Sequence, residues 1–284
     1  MVNFSIIIPH KNSPDLLNRC LDSIPSREDV EVIIIDDDSI DEKRPVITAS
    51  NVRLILLDKS QSKGAGHARN VGMHNASGKW LLFADCDDYY ESNFVDVLDN
   101  YIDSEADIVY FDANMYNKPE GMSAIFEEYE TSQHLLEDRR RLGLSSNTPW
   151  NKMFRRSFII NNQIEFEEIP ISNDAWFVNY AGFLADSVVI LHSRLYYYVD
   201  NPSGITKSKR PVKHYFQAMK SNSKRNKLKM KNGDYDLIDI PGFNTTIVLR
   251  DYGAPVYLCF FLYKLFSDYS IICSAFIKIV KKVF

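Results

Sequence analysis

The first half of the chain alternates between two hydrophobic periods. Phe4 to Ile8 is an apolar run broken by one serine and closed by Pro9, which predicts a strand buried on both faces. Ser13-Pro14 then supplies a helix start, and Leu16, Leu17, Cys20, Leu21 and Ile24 follow at helical spacing. Val30 to Ile35, Val52 to Leu57 and Trp80 to Ala84 repeat the buried-strand pattern. Helical signals run from His67 to Ala76 and from Glu91 to Asp103, and Asp107 to Phe111 reads as another short strand. This order predicts an α/β fold, a Rossmann-like and mostly parallel sheet with helices on both faces. Ligands of such sheets bind beyond the carboxyl ends of the strands, so the loops after Ile8, Ile35 and Ala84 should converge.

The second half is less regular. Helices are expected around Ser132 to Leu142, around Ser157 and from Asp174 to Ala185, with short strands at Ser187 to Leu191 and Leu195 to Val199. Pro211 to Lys231 is basic and helical. There is no internal repeat or low-complexity linker, so a boundary near residue 207 rests on charge. Residues 201–284 carry 15 Lys+Arg against 5 Asp+Glu, whereas residues 1–200 carry 18 against 33. An acidic body suits cations, and a basic end suits phosphates or an anionic membrane. Cys20, Cys86, Cys259 and Cys273 are far apart and form no C-x-x-C pair, which disfavours a disulfide framework or a thiolate metal site. With no secretory pattern after Met1, a reducing, cytoplasmic location is expected.

Three polar loops stand at predicted strand ends: Pro9-His10-Lys11-Asn12, Asp36-Asp37-Asp38-Ser39 and Asp85-Cys86-Asp87-Asp88. Clustered carboxylates repel one another, and a hard divalent cation such as Mg²⁺ or Mn²⁺ relieves that repulsion while bridging to phosphate. The alternative is that Asp36, Asp38 or Asp87 simply caps a following helix. The segments SIIIPHKN, VIIIDDDSID, GHARNVGMHNASGKWLLFADCDD, PWNKMFRRSFI and LYYYVDNPSGIT occur in that order from Ser5 to Thr206. Together they resemble family 2 glycosyltransferases of the GT-A fold, and are similar to bacterial enzymes that build capsule, O-antigen or lipopolysaccharide.

That resemblance implies a catalytic domain over 1–206, with a nucleotide-sugar half to about 112 and an acceptor half from about 113. Residues 207–284 would form a helical extension. It implies that Pro9, His10 and Asn12 line a nucleotide, that Asp37 bonds its base, and that Arg69 lies near the diphosphate. Asp85 and Asp87 would form a D-x-D, with Asp87 the direct ligand of Mn²⁺ or Mg²⁺. The family's downstream acidic pair reads Asn173-Asp174 here, so the first acid is lost and Asp174 is the candidate base for an inverting transfer. Its alternative is an N-cap for the next helix. Trp150 and Lys152 are candidates for acceptor binding, Trp150 by stacking on a sugar ring, against the alternative of buried packing. Tyr196-Tyr197-Tyr198 reads as a strand alternating between core and surface.

The donor would be a nucleotide sugar, most simply UDP-linked, and the acceptor a saccharide or lipid-linked saccharide. Rival readings are a phosphotransfer enzyme using the D-x-D and a non-catalytic nucleotide-sugar-binding module. Haloacid-dehalogenase-like phosphatases need their Asp after the first strand, and three strand candidates precede it here. Gly64-Ala65-Gly66 lacks the G-x-G-x-x-G of a dehydrogenase. In the tail, Pro255 to Phe266 and Tyr269 to Val280 are apolar, with Lys264 and Asp268 interrupting them and Lys278, Lys281 and Lys282 closing the chain. No uncharged run reaches the roughly 20 residues of a membrane span, so a helix pair lying on an anionic membrane surface is expected. A hairpin packed on the body, or a homodimer contact, is the alternative. Nucleic acid is disfavoured because base-stacking aromatics and a recognition fold are absent.

Overall fold

The computed structural model describes residues 1–115, 136–201, 208–239 and 243–269. Eight strands form one sheet: β1 (Phe4–His10), β2 (Val30–Asp37), β3 (Val52–Leu57), β4 (Trp80–Phe83), β5 (Tyr89–Tyr90), β6 (Ile108–Met115), β7 (Lys152–Arg155) and β8 (Val188–Tyr198). Their order across the sheet is β3-β2-β1-β4-β7-β6-β8-β5. β1 pairs in parallel with β2 and β4, β2 with β3, and β6 with β8. β7 runs antiparallel between β4 and β6, and β5 antiparallel along β8. The carboxyl ends of β1, β2 and β4 therefore share one edge.

Strand side chains alternate between two cores, as the pleat requires. On one face Phe4, Ile6 and Ile8 meet Leu17 and Cys20 of α1 (Pro14–Asp22) and Phe94, Val95 and Leu98 of α2 (Phe94–Asp99). On the other, Ile7, Ile33 and Phe83 meet Ala68 and Met73 of α3 (Ala65–Asn75), Ile159 of α4 (Arg156–Asn161) and Phe177, Val178 and Ala181 of α5 (Ala175–Leu184). Both faces are covered, as expected. Beside α5 runs α6 (Leu136–Ser145). At their crossing the backbones touch: a Cβ on Gly182 would come within 2.3 Å of the Gly143 Cα.

Several expected elements differ in extent. The two strands expected at Ser187–Leu191 and Leu195–Val199 are a single β8. β8 carries His192 and Ser193 as extra residues bulging against β6, whose pairing steps from Phe111↔Leu191 to Asp112↔Arg194. β5 and β7 carry too few residues to display a period and gave no strand signal. The helix expected from Glu91 is shorter. The helix expected from Ser132 is α6, and the residues before Leu136 lie outside the described range, as does Tyr269 to Val280 beyond Tyr269 itself.

The basic segment forms α7 (Val212–Asn232), stopped by Gly233 at φ 95°, and is followed by α8 (Phe243–Tyr252) and α9 (Ala254–Ser267). Tyr215, Met219, Val248 and Phe260 build a third small core joining these three helices, and Ile171 packs on it from the body. Gly182→Ala should force α5 away from α6, because no side chain can yield in a backbone contact. Overpacking of this kind costs about 1–3 kcal/mol. Urea unfolding is expected to show a lower midpoint with an unchanged slope.

Candidate active site

The three polar loops do converge. A cavity of about 880 Å³ opens beyond the strand ends, and Pro9, His10, Asn12, Asp37, Arg69, Asp85, Asp87 and Asp174 all line it. Loop after loop is fixed by hydrogen bonds. His10 Nε2 accepts from the Ser13 amide at 3.1 Å, so the ring proton resides on Nδ1, which donates to Asp36 Oδ2 at 2.7 Å. Asp36 also accepts from the Ser39 amide and hydroxyl. Those bonds and His10 hold its carboxyl below the usual range against the opposing effect of burial. Asn12, at φ 56°, accepts from the Ile40 amide at 2.9 Å, while its own amide donates to Ser39. Asp36 is thus a brace between the first two loops rather than a helix cap. Asp37 Oδ2 accepts from the Gly64 amide at 3.2 Å, but buried Oδ1 has no partner. Asp37 as a residue lines the cavity, while this oxygen is an exception to the rule that buried polar atoms are paired.

Arg69 joins the two halves of the site. Its guanidinium donates to Asp85 Oδ1 at 2.5 Å and to Asn173 Oδ1 at 2.7 Å, and lies 5.4 Å over the Phe166 ring. The asparagine that stands where the family has an acid is therefore the partner of this arginine. A second close approach permits the arrangement: a Cβ on Gly66 would meet the Glu167 carbonyl oxygen at 2.1 Å.

The acidic cluster divides by role. Asp88 is buried, taking Tyr196 Oη at 2.9 Å and the Val199 amide at 2.8 Å. Tyr196 Oη in turn accepts from the Asp85 amide at 3.0 Å. Burial, and then the Asp85 charge, push the Asp88 carboxyl up to about 8. Asp87 faces the cavity with Asn201 Nδ2 on Oδ2 at 2.8 Å, and Arg19 donates to its backbone carbonyl. Burial raises its carboxyl, the Asn201 bond opposes this, and the Asp85 charge adds to it. Asp87 is thus a carboxylate short of positive charge. Among the described residues no three His, Cys, Asp or Glu side chains are grouped to hold an ion by themselves. Two carboxylates suit a hard cation whose remaining ligands are water and phosphate oxygens.

Across the cavity, half-buried Asp174 stands at the N-cap of α5 yet makes no side-chain cap hydrogen bond. Burial raises its carboxyl, and Arg69 draws it back. The cavity wall also includes Ser208, Arg210 and Tyr215, so the basic end completes the site.

Trp150 and Lys152 are not brought to this cavity. Trp150 is 4% exposed and stacks on Tyr196 at 5.0 Å and Tyr198 at 5.9 Å. Lys152 is fully buried, with Nζ donating to Ser146 Oγ, the Thr148 carbonyl and Asn151 Oδ1. Both support the strands behind the site, since packing and three buried acceptors engage the groups a sugar would need. Asn201, Arg19 and Tyr196 were missed, because each reaches the acidic cluster only through the fold and no local spacing marks it.

Comparison with known proteins places this geometry. The family model described as Glycosyl transferase family 2 matches residues 5–161. Glycosyltransferase GlyA of Streptococcus pneumoniae is 23% identical over 68% of this chain and 30% of its own length. The poly(ribitol-phosphate) β-N-acetylglucosaminyltransferase TarS of Staphylococcus aureus is 27% identical over 72% of this chain and 36% of its own. The chain thus matches about a third of the length of these curated relatives. Among solved structures, S. aureus TarS 1–349 in complex with UDP-GlcNAc superposes with a TM-score of 0.72 at 18% identity, covering 96% of this chain and 82% of that one. A mannosyltransferase from Pyrobaculum calidifontis in complex with GDP-Man and Mn²⁺ gives 0.54 at 12% identity, covering 97% and 86%. The fold is that of these proteins.

Burial pulls the Lys152 ammonium from 10.5 down to about 7, with Asp174 opposing the change. Between those values the unfolded chain holds the proton and the folded chain does not, so this residue's contribution to stability rises with pH. Urea unfolding from about pH 7 to about pH 9.5 should show that rise in the wild type and a flatter dependence in Lys152→Met.

Proposed function

This chain belongs to glycosyl transferase family 2, and on that premise we propose that it moves a sugar from a UDP-sugar to a hydroxyl of a saccharide or lipid-linked saccharide, with inversion. The reading includes work on surface polysaccharide, at the inner face of a membrane. What carries it is the meeting of Asp37, Arg69, Asp85, Asp87 and Asp174 in one cavity beyond β1, β2 and β4. Asp37 would accept an N–H of the uracil ring through its carboxylate, with Pro9, His10 and Asn12 shaping the loop beneath the nucleoside. Asp85 and Asp87 would hold Mn²⁺ or Mg²⁺. When bound, such an ion supplies positive charge to the diphosphate as the bond to the sugar breaks.

Asp174 would receive the proton. The acceptor hydroxyl oxygen forms its bond to the anomeric carbon while the bond from that carbon to the diphosphate oxygen breaks, and the electron pair leaves with UDP. Proton transfer from that hydroxyl to the Asp174 carboxylate balances the step. Its raised carboxyl favours taking a proton compared with a solvated aspartate, and Arg69 keeps the ionised form accessible. Trp150 and Lys152, buried behind the site, would set its shape without touching acceptor.

Asp87→Ala should weaken UDP-sugar binding in Mn²⁺ at least tenfold, to about the level seen in EDTA, by calorimetry. Tight binding that survives both changes would rule out the metal role. Asp174→Asn should bind the donor normally and lose about 10²-fold or more in transfer rate. Undiminished transfer would assign the base to another group.

A further inference from the structure

The exposed side of α7 is a single basic ridge. Lys213, Gln217, Lys220, Lys224, Lys227 and Lys231 recur every three or four residues, all exposed, and the helix contains no Asp or Glu. The ridge is about 27 Å long at 1.5 Å per residue. Lys224 also covers the Trp176 ring at 3.4 Å and reaches Glu167 at 3.4 Å.

Against α7 lies α9. Its inner side is fixed by Phe260, 3.9 Å from the Phe216 ring, and by Lys264, which donates to Asn222 and Ser223 and pairs with buried Asp268. Its outer side carries Leu258, Leu262 and Phe266, each four residues apart and exposed by 53, 44 and 80%, and Tyr269, 68% exposed, follows just past the helix end. Single exposed apolar residues need no explanation, but a stripe of them does. Tyr263 meets the Phe216 ring edge-on at 5.6 Å and lies at the seam between the two helices. Past Tyr269 the chain continues with Ile271, Ile272, Phe276, Ile277, Ile279 and Val280, then Lys281 and Lys282.

We propose that α7 and α9 together form a seat for an anionic phospholipid bilayer, lysines of α7 at the headgroups and the α9 stripe in the interface. This replaces the helix pair expected from sequence with a different pair, one helix basic and the other apolar. A soluble phosphate polymer would complement the lysines but gain nothing from Leu258, Leu262 and Phe266, whereas a bilayer engages both. Among the described residues no helix is long and apolar enough to cross a membrane, so the contact is peripheral. Arg210 and Tyr215, at the start of α7, line the cavity, so the ridge begins at its mouth. Seating would bring a lipid-linked acceptor to that mouth, a link that rests on the transferase reading above.

Flotation of the full chain with phosphatidylcholine vesicles, with or without about 30 mol% phosphatidylglycerol, tests the seat. Wild type should float with the anionic vesicles only. The triple variant Lys213→Glu, Lys220→Glu, Lys227→Glu and the double variant Leu262→Asp, Phe266→Asp should each lose about tenfold or more in binding. Circular dichroism and UDP-sugar binding, followed in parallel, verify that both variants fold. If wild type stays at the bottom, the seat is wrong. If Leu262→Asp, Phe266→Asp floats like wild type, the α9 stripe takes no part in binding and the two-helix seat falls. Flotation without UDP-sugar binding would instead sink the transferase reading and leave the seat standing.

Discussion

The site depends on one buried guanidinium. A parallel sheet that ends its strands in acid gathers Asp36, Asp37, Asp85, Asp87 and Asp88 at one edge, and like charges so close together oppose folding. Arg69 answers part of that repulsion through Asp85, and its other nitrogen reaches Asn173 on the far wall. One side chain therefore sets the distance between the acidic cluster and Asp174. Arg69 can do this because α3 starts next to the loop after β3 and because Gly66, one turn earlier, lets the Glu167 backbone come close. Asp85 is about one-third exposed, so water screens the pair and its strength comes from fixed geometry more than from raw Coulomb attraction.

The far wall is held from its other side by the C-terminal helices. Ile171 enters the core of α7, α8 and α9, and Ser221 of α7 donates to Glu167. Arg225, buried on α7, donates to Asn147 and adds its positive field to that of Arg69 at Asp174. The loop from Glu167 to Asp174 is thus clamped between α3 and α7, although its own sequence has no regular period. A boundary drawn at residue 207 by charge separates two regions that share this loop and one cavity.

Strong periodic signals survived in the structure and weak ones did not. β1, β2, β3 and β4 were legible because long apolar runs leave few alternatives, and their common edge followed from parallel order alone. β7 was hidden because Lys152–Arg155 is four residues long and includes two cations, one of them satisfied by acceptors from Ser146, Thr148 and Asn151. Lys152 looked like a surface group for the same reason: no sequence pattern announces three buried oxygens. Asn173 looked like the loss of an acid, whereas its role depends on Arg69, distant by 104 residues. Local chemistry is readable in one dimension, and pairings across the sheet edge are not.

The remaining charge explains why the cluster is split as it is. Asp36 and Asp88 are each satisfied by protein donors and face inward, so they brace loops and leave the cavity's electrostatics to Asp37, Asp85 and Asp87. Arg69 serves Asp85, whereas Arg19 hydrogen-bonds only the carbonyl of Asp87 and reaches its carboxylate through its field alone, a smaller effect than burial or the Asp85 charge. The proposed nucleotide diphosphate would meet that charge beside Lys11, Lys63, Arg69 and Arg210, which line the same cavity, so its phosphates are placed by cations of the wall as well as by any ion at Asp87.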